Sequence, residues 1–314
     1  MMLSKSARLT QRYIEMSASD LDGIDRIIVS IDDRESRSNL PIWRTLADGR
    51  DCRLVNMNSV AGDRFRVEGP GIQTADGSLT DDDHIAEILG NGSVLVDITG
   101  MEHAVWASIL RVCFDRGINT KFMYVEPGEY KPHLSPSTLG QYDLTVTLNG
   151  VAPLPGYAQL GGAENYGRSV FVPMLGFEGN RAECMMITLD PSPKVIPVVG
   201  VPGFQIDYPA VTVSCNRDFL DAQGASSDIK MVRASCPFDL ISVIDEIATD
   251  YSGYYIYLGV IGTKPHALGA ALYWLMNKDR SEIIFDHPIK KDGRTTGVGV
   301  IHVYDFGEFD VGCR

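Results

Sequence analysis

The residues best suited to chemistry lie in one short turn, Gly262-Thr263-Lys264-Pro265-His266. A hydroxyl, an ammonium and an imidazole fall within four positions. Pro265 suits the first turn of a helix, where its missing N–H costs nothing and its φ is already helical. Oriented backbone amides and a positive dipole end would therefore sit beside the Thr263 hydroxyl and the Lys264 charge. Such a mouth favours a phosphate, or the ribose and base edges of a nucleotide. A weaker counterpart, Thr99-Gly100-Met101-Glu102-His103, puts a carboxylate where the other has its lysine. The two mouths are therefore expected to be chemically unequal. Lys264 with His103 or His266 could also serve phosphodiester cleavage, in which a cation stabilises the attacked phosphate. Against that, a histidine in the first turn of a helix more often caps or packs. Asp286 and Glu126 precede the closing prolines of the two copies, where a strand-end carboxylate either reads a ribose hydroxyl or is simply solvated.

Each turn needs a strand before it and a helix behind it, and the sequence supplies both. Tyr254 to Ile261 is an apolar, aromatic and β-branched run that reads as a buried strand. Ala267 to Met276 carries Leu268, Leu272 and Leu275 at helical spacing, and Ile283 to Phe285 reads as the next strand. Val94 to Pro127 repeats the order of strand, glycine, helix, strand and proline. This similarity predicts two related halves packed about a pseudo-twofold axis.

The rest of the chain alternates strands with helices, which predicts an α/β fold of two Rossmann-like lobes with mostly parallel sheets. Residues 1–24 read as an arm, helical over Ser4–Met16. Residues 25–150 read as the first lobe and 165–314 as the second, divided by the Gly, Pro and Tyr-rich stretch Pro153–Arg168. In the first lobe Arg26–Ile31 and Arg53–Met57 read as strands, and a helix begins at Pro41. Ala61–Leu79 reads as an exposed loop or hairpin, and Asp81-Asp82-Asp83 caps a helix to about Leu89. Leu144–Leu148 adds a strand. In the second, Ser169–Leu175, Lys194–Gly200 and Ile229–Arg233 read as strands, with helices near Gly179, Phe219 and Phe238. Gly297–Tyr304 is expected to close the second sheet.

The turn Ile261-Gly262-Thr263-Lys264-Pro265 with the small-residue helix His266-Ala267-Leu268-Gly269-Ala270-Ala271 resembles the GTK turn of CRISPR-associated Rossmann-fold sensor domains, the CARF family. Asp97-Ile98-Thr99-Gly100 is similar to it in degenerate form. Two such lobes in one chain also resemble the SAVED sensors of anti-phage systems. The resemblance is specific over about 35 residues in each half. It implies a small anionic nucleotide ligand, a cyclic oligonucleotide bound between paired lobes, and an effector switched by it. It implicates Thr263, Lys264 and, less directly, Thr99, with Gly100, Gly262, His103 and His266 in the same turns. By position alone it adds Ser30, Asp32 and Arg34 after the first strand, and Pro202, Gly203 and Phe204 in the other lobe. No nuclease or hydrolase motif is present, which implies a separate effector protein, and a homodimer fits the same plan. The family also includes ring nucleases, which cleave the bound ligand. A third possibility is a ligand-free scaffold in a larger complex, to which a cation at the second mouth would be of no use.

Composition narrows the field. The 314 residues hold 28 basic and 41 acidic side chains, a net charge of −13, which argues against an extended nucleic-acid surface. No secretory signal or long apolar span is visible, so a cytoplasmic protein without membrane contact is expected. Six cysteines are scattered without a CxxC pair, which predicts reduced thiols and no structural zinc. The first strand leads into Asp32-Asp33-Arg34-Glu35 rather than a GxGxxG fingerprint, and a Walker A loop is absent. No cofactor is expected.

Overall fold

The computed structural model describes residues 9–31, 35–70, 72–136, 142–159, 163–189 and 192–306. The chain opens with β1 (Leu9–Tyr13), β2 (Arg26–Val29), α1 (Pro41–Asp48), β3 (Leu54–Ser59), β4 (Arg64–Gly69) and β5 (Ile72–Ser78). It continues through α2 (Asp82–Leu89), β6 (Val94–Asp97), α3 (His103–Arg116), β7 (Thr120–Tyr130) and β8 (Thr145–Leu148). Next come β9 (Ser169–Met174), α4 (Asn180–Met186), β10 (Lys194–Val195), β11 (Val198–Gly200), α5 (Tyr208–Cys215) and α6 (Arg217–Ala222). The last elements are β12 (Lys230–Val232), α7 (Pro237–Asp250), β13 (Tyr255–Val260), α8 (Lys264–Met276), β14 (Ser281–Ile284), β15 (Pro288–Lys290) and β16 (Thr295–Asp305). The fold is mixed α/β with large, mostly parallel sheets, as the alternation of strand and helix patterns predicts.

Two compact units emerge, residues 1–129 with 295–314, and residues 130–294. The first is built on an eight-stranded sheet of order β1-β16-β7-β6-β2-β3-β4-β5. Its centre is parallel: β2 pairs with β3 and β6, and β6 with β7. All four residues of β6 are buried, as a strand covered on both faces requires. The second unit holds a six-stranded sheet of order β12-β11-β9-β13-β14, with β10 also alongside β9 and every pairing parallel. A separate antiparallel ribbon joins β8 to β15.

Three expectations change. Within the arm expected to be helical over Ser4–Met16, Leu9–Tyr13 is an edge strand antiparallel to β16, and residues 4–8 lie outside the described residues. The final strand joins the first sheet, not the second, because Ile301 and Val303 alternate into the core formed with Ile27, Trp43, Leu95 and Val125. The unit boundary also differs from Pro153–Arg168. Leu154 and Tyr157 are buried there, and Tyr157 packs on Trp274 with ring centroids 4.7 Å apart, which ties this stretch into the second unit. The repeated motif folds as read, β6-α3-β7 in one unit and β13-α8-β14 in the other. The similarity stops there, since the surrounding sheets differ in strand order and in antiparallel additions.

Helix α8 is buried from Lys264 to Leu275 on all sides, which accounts for its small residues. A Cβ on Gly269 would lie 2.6 Å from the Pro237 carbonyl oxygen of α7. Gly269→Ala, ordinarily a gain of up to about 1 kcal/mol inside a helix, should therefore destabilise the protein by roughly 1–3 kcal/mol through overpacking. A lowered urea midpoint at unchanged m-value would show it; an unchanged or raised midpoint would contradict this packing.

Candidate functional site

The chain winds outward from β9 through β11 to β12, then returns to β13 on the opposite side of β9. In sequence terms the order is 3-2-1-4-5, that of a doubly wound sheet, and the winding reverses between β9 and β13. Loops leaving the carboxyl ends of those strands diverge around a crevice where open α/β sheets hold ligands. Here the crevice narrows to a pocket of about 70 Å³. Gly176 and Gly262 explain the narrowing. A Cβ on Gly262 would lie 2.8 Å from the Leu175 carbonyl oxygen, so the loops after β9 and β13 run in backbone contact.

Five residues singled out in the sequence line this pocket: Gly203, Phe204, Gly262, Thr263 and His266. Thr263 caps α8, accepting from His266 N at 3.4 Å, and its hydroxyl donates to Ala234 O at 2.7 Å. That bond ties the loop after β13 to the loop after β12. His266 is 2% exposed, and its Nε2 lies 2.9 Å from Arg233 O. A carbonyl only accepts, so Nε2 carries the proton. Burial holds the imidazole down to about pH 4, partly offset by the bond to Arg233 and by the Asp239 charge, so the ring is neutral near pH 7. Lys264 is only 6% exposed, in the first turn of α8, rather than free in solvent.

The remaining wall is aromatic and went unrecognised in the sequence. Tyr130, Phe177 and Tyr208 line it, with Phe177 and Tyr208 edge to face at 5.0 Å. The Tyr208 hydroxyl accepts from Tyr130 N at 3.1 Å, and burial pushes its pKa up to about 12. The other side of this wall faces a cavity of about 590 Å³, lined by Tyr142, which stacks on Phe177 at 4.6 Å. Its charged lining is mostly acidic, with Asp143, Glu178, Glu183 and Asp218 against Arg181 and His133. That balance disfavours a phosphate.

Arg181 is itself committed. It makes a buried two-pronged pair with Asp286 at 2.6 and 2.7 Å and donates to Ile261 O at 3.3 Å. One guanidinium thus joins α4 to the loops after β13 and β14. Asp286 is 1% exposed, so it is neither a solvated strand end nor a free ribose reader.

The other predicted mouth is filled by its own chain. A Cβ on Gly100 would fall 2.0 Å from Ser30 O. Thr99 is buried, its hydroxyl accepting from Val125 N at 3.0 Å, while Asp97 accepts from Thr99 N at 2.9 Å and Trp43 Nε1 at 3.1 Å. A buried Arg37 pairs with Glu35 and donates to Val125 O. Ser30 Oγ donates to Asn58 at 2.6 Å, and His103 packs on Trp106 with centroids 5.4 Å apart. Ser30, Thr99, Gly100 and His103 therefore serve packing within the first unit. Asp32 and Arg34 lie outside the described residues. Among the described residues, no group of three or more His, Cys, Asp or Glu side chains could hold a metal ion. No described helix is long and apolar enough to cross a membrane.

Similarity offers no shortcut to the ligand. No protein-family model, curated protein or solved structure matches this chain. The site has to be read from its own geometry.

Two outcomes test that geometry. Because His266 must be neutral when folded, its contribution to stability is fully present above about pH 6.5 and lost as pH falls toward about 4. The loss should reach roughly 3 kcal/mol, and His266→Gln should flatten that window in pH-dependent urea unfolding. Arg181→Met leaves Asp286 buried without its cation and should cost about 3–5 kcal/mol, while adding Asp286→Leu should restore much of it. Unfolding midpoints that ignore either change would contradict the assignment.

Proposed function

We propose that the chain is a nucleotide-signal sensor or regulatory subunit that binds its ligand at the carboxyl ends of β9 and β13 and controls a separate effector, as the resemblance to CARF and SAVED sensors implies. The observation that carries this reading is the aromatic-lined pocket at the winding reversal, beside the first turn of α8. Aromatic rings suit a nucleobase, since they supply stacking area and a polar tip. The start of α8, at Thr263, suits a phosphate, whereas Lys264 is buried and does not line the pocket. A pocket of about 70 Å³ is below the roughly 300–1,000 Å³ usual for small-molecule sites. Ligand entry must then displace part of the wall, and Tyr208 and Phe177 are the rings in the way. Such a site couples occupancy to a change of shape, as a sensor needs and a rigid scaffold does not.

Cleavage of the ligand is less well supported. His266 is neutral and bonded to a carbonyl, so it offers no positive charge to a phosphate.

The test is calorimetric titration and thermal unfolding with cyclic di-AMP, cyclic tri-, tetra- and hexa-adenylate, and cyclic di-GMP. A true ligand at a hundred times its Kd should stabilise the protein by about 2.7 kcal/mol. Phe177→Ala should weaken that ligand about tenfold or more, as expected for loss of a ring on which a base stacks. A panel in which nothing binds would sink the sensor reading in favour of a scaffold.

A further inference from the structure

The pocket contains a polar atom that the fold leaves unused. His266 Nε2 donates to Arg233 O at 2.9 Å and the backbone N–H of His266 reaches Thr263 Oγ1, yet Nδ1 has no hydrogen-bond partner among the described residues. With the proton fixed on Nε2, Nδ1 carries a lone pair and can only accept. The ring is nearly buried and lines the pocket. Nδ1 is not among the buried atoms left without a partner, so it keeps contact with water, and a bound group that supplies a donor can take that water's place.

We infer that His266 is a specificity-determining residue, accepting at Nδ1 a hydrogen bond from an N–H group on the ligand's base, whose ring lies against Phe177 and Tyr208. This rests on the nucleotide reading above and adds to it the class of base. Adenine, cytosine and guanine carry an exocyclic amino group; a ring with only acceptors at that edge would place lone pair against lone pair. The neighbouring groups do not supply an alternative partner. Thr263 spends its hydroxyl hydrogen on Ala234 O, and the Tyr208 hydroxyl, bonded to Tyr130 N, makes no hydrogen bond to His266. Burial keeps the imidazole neutral near pH 7, so the acceptor persists at ordinary pH. A site built around a buried hydrogen bond rejects analogues that cannot complete it far more strongly than an apolar site rejects a change in size.

Matched nucleosides test this without any phosphate contribution. Adenosine is compared with purine riboside, guanosine with inosine, and cytidine with its 4-deamino analogue, each pair differing only in the amino group. Ligand-observed NMR titration reads affinities into the millimolar range. The expected result is that at least one amino nucleoside binds about tenfold or more tightly than its partner. His266→Phe, which fills the space without an acceptor, should abolish the preference. His266→Gln, whose amide can both donate to Arg233 O and accept, should keep it in part and controls for folding. Equal binding within all three pairs would overturn the inference, and so would a preference that survives in His266→Phe. If no nucleoside binds while a cyclic nucleotide does, the base-reading role fails and the sensor reading stands. If neither class binds, both fail.

Discussion

Parallel pairing is the constraint on which the second unit depends. Strands β9, β11, β12, β13 and β14 all run the same way, so each must return through a crossover and every carboxyl end reaches one edge of the sheet. Five loops therefore meet there whether or not they have chemistry to do. What distinguishes them is how they are held. Arg181 bridges the loops after β13 and β14, and Thr263 bridges those after β13 and β12. Backbone polar groups in such loops cannot be left unpaired when buried, and these side chains satisfy them while fixing the pocket.

Much of this was legible in the sequence. The apolar run of β13, the glycine turn, Pro265 and the small-residue helix each obey a local rule, and the structure places Thr263 and His266 together as those rules imply. Asp81 caps α2 by accepting from His84 N, as the acidic triplet suggests. The parts that escaped are those decided by tertiary partners. Tyr208–Cys215 is helical although its β-branched content suggests a strand. Nothing local marks Arg181 as the partner of Asp286, which lies 105 positions away. The aromatic wall draws Tyr130 from a strand end, Phe177 from a loop and Tyr208 from a helix start, so no spacing could announce it.

The two glycine turns show how one pattern serves two ends. Gly100 and Gly262 both allow a strand-end loop to press against its neighbour's carbonyl. In the first unit the approach continues into a packed network of Arg37, Asp97 and Thr99 that fills the mouth. In the second it stops at rings and an imidazole, which leave space. The carboxylate and lysine that separate the turns in sequence are a minor part of this difference; the surrounding side chains matter more.

The β4–β5 hairpin has a bearing on how the molecule behaves in a crowd. It ends the eight-stranded sheet with a strand whose residues include Gln73, Thr74 and Asp76, and Arg66 is paired to Asp76 across it at 2.7 Å. An open strand edge is a template for another chain unless polar or charged groups blunt it. The second sheet is guarded by brevity, since its outer strands β12 and β14 span three and four residues. These three borders are thus poorly suited to fibre growth.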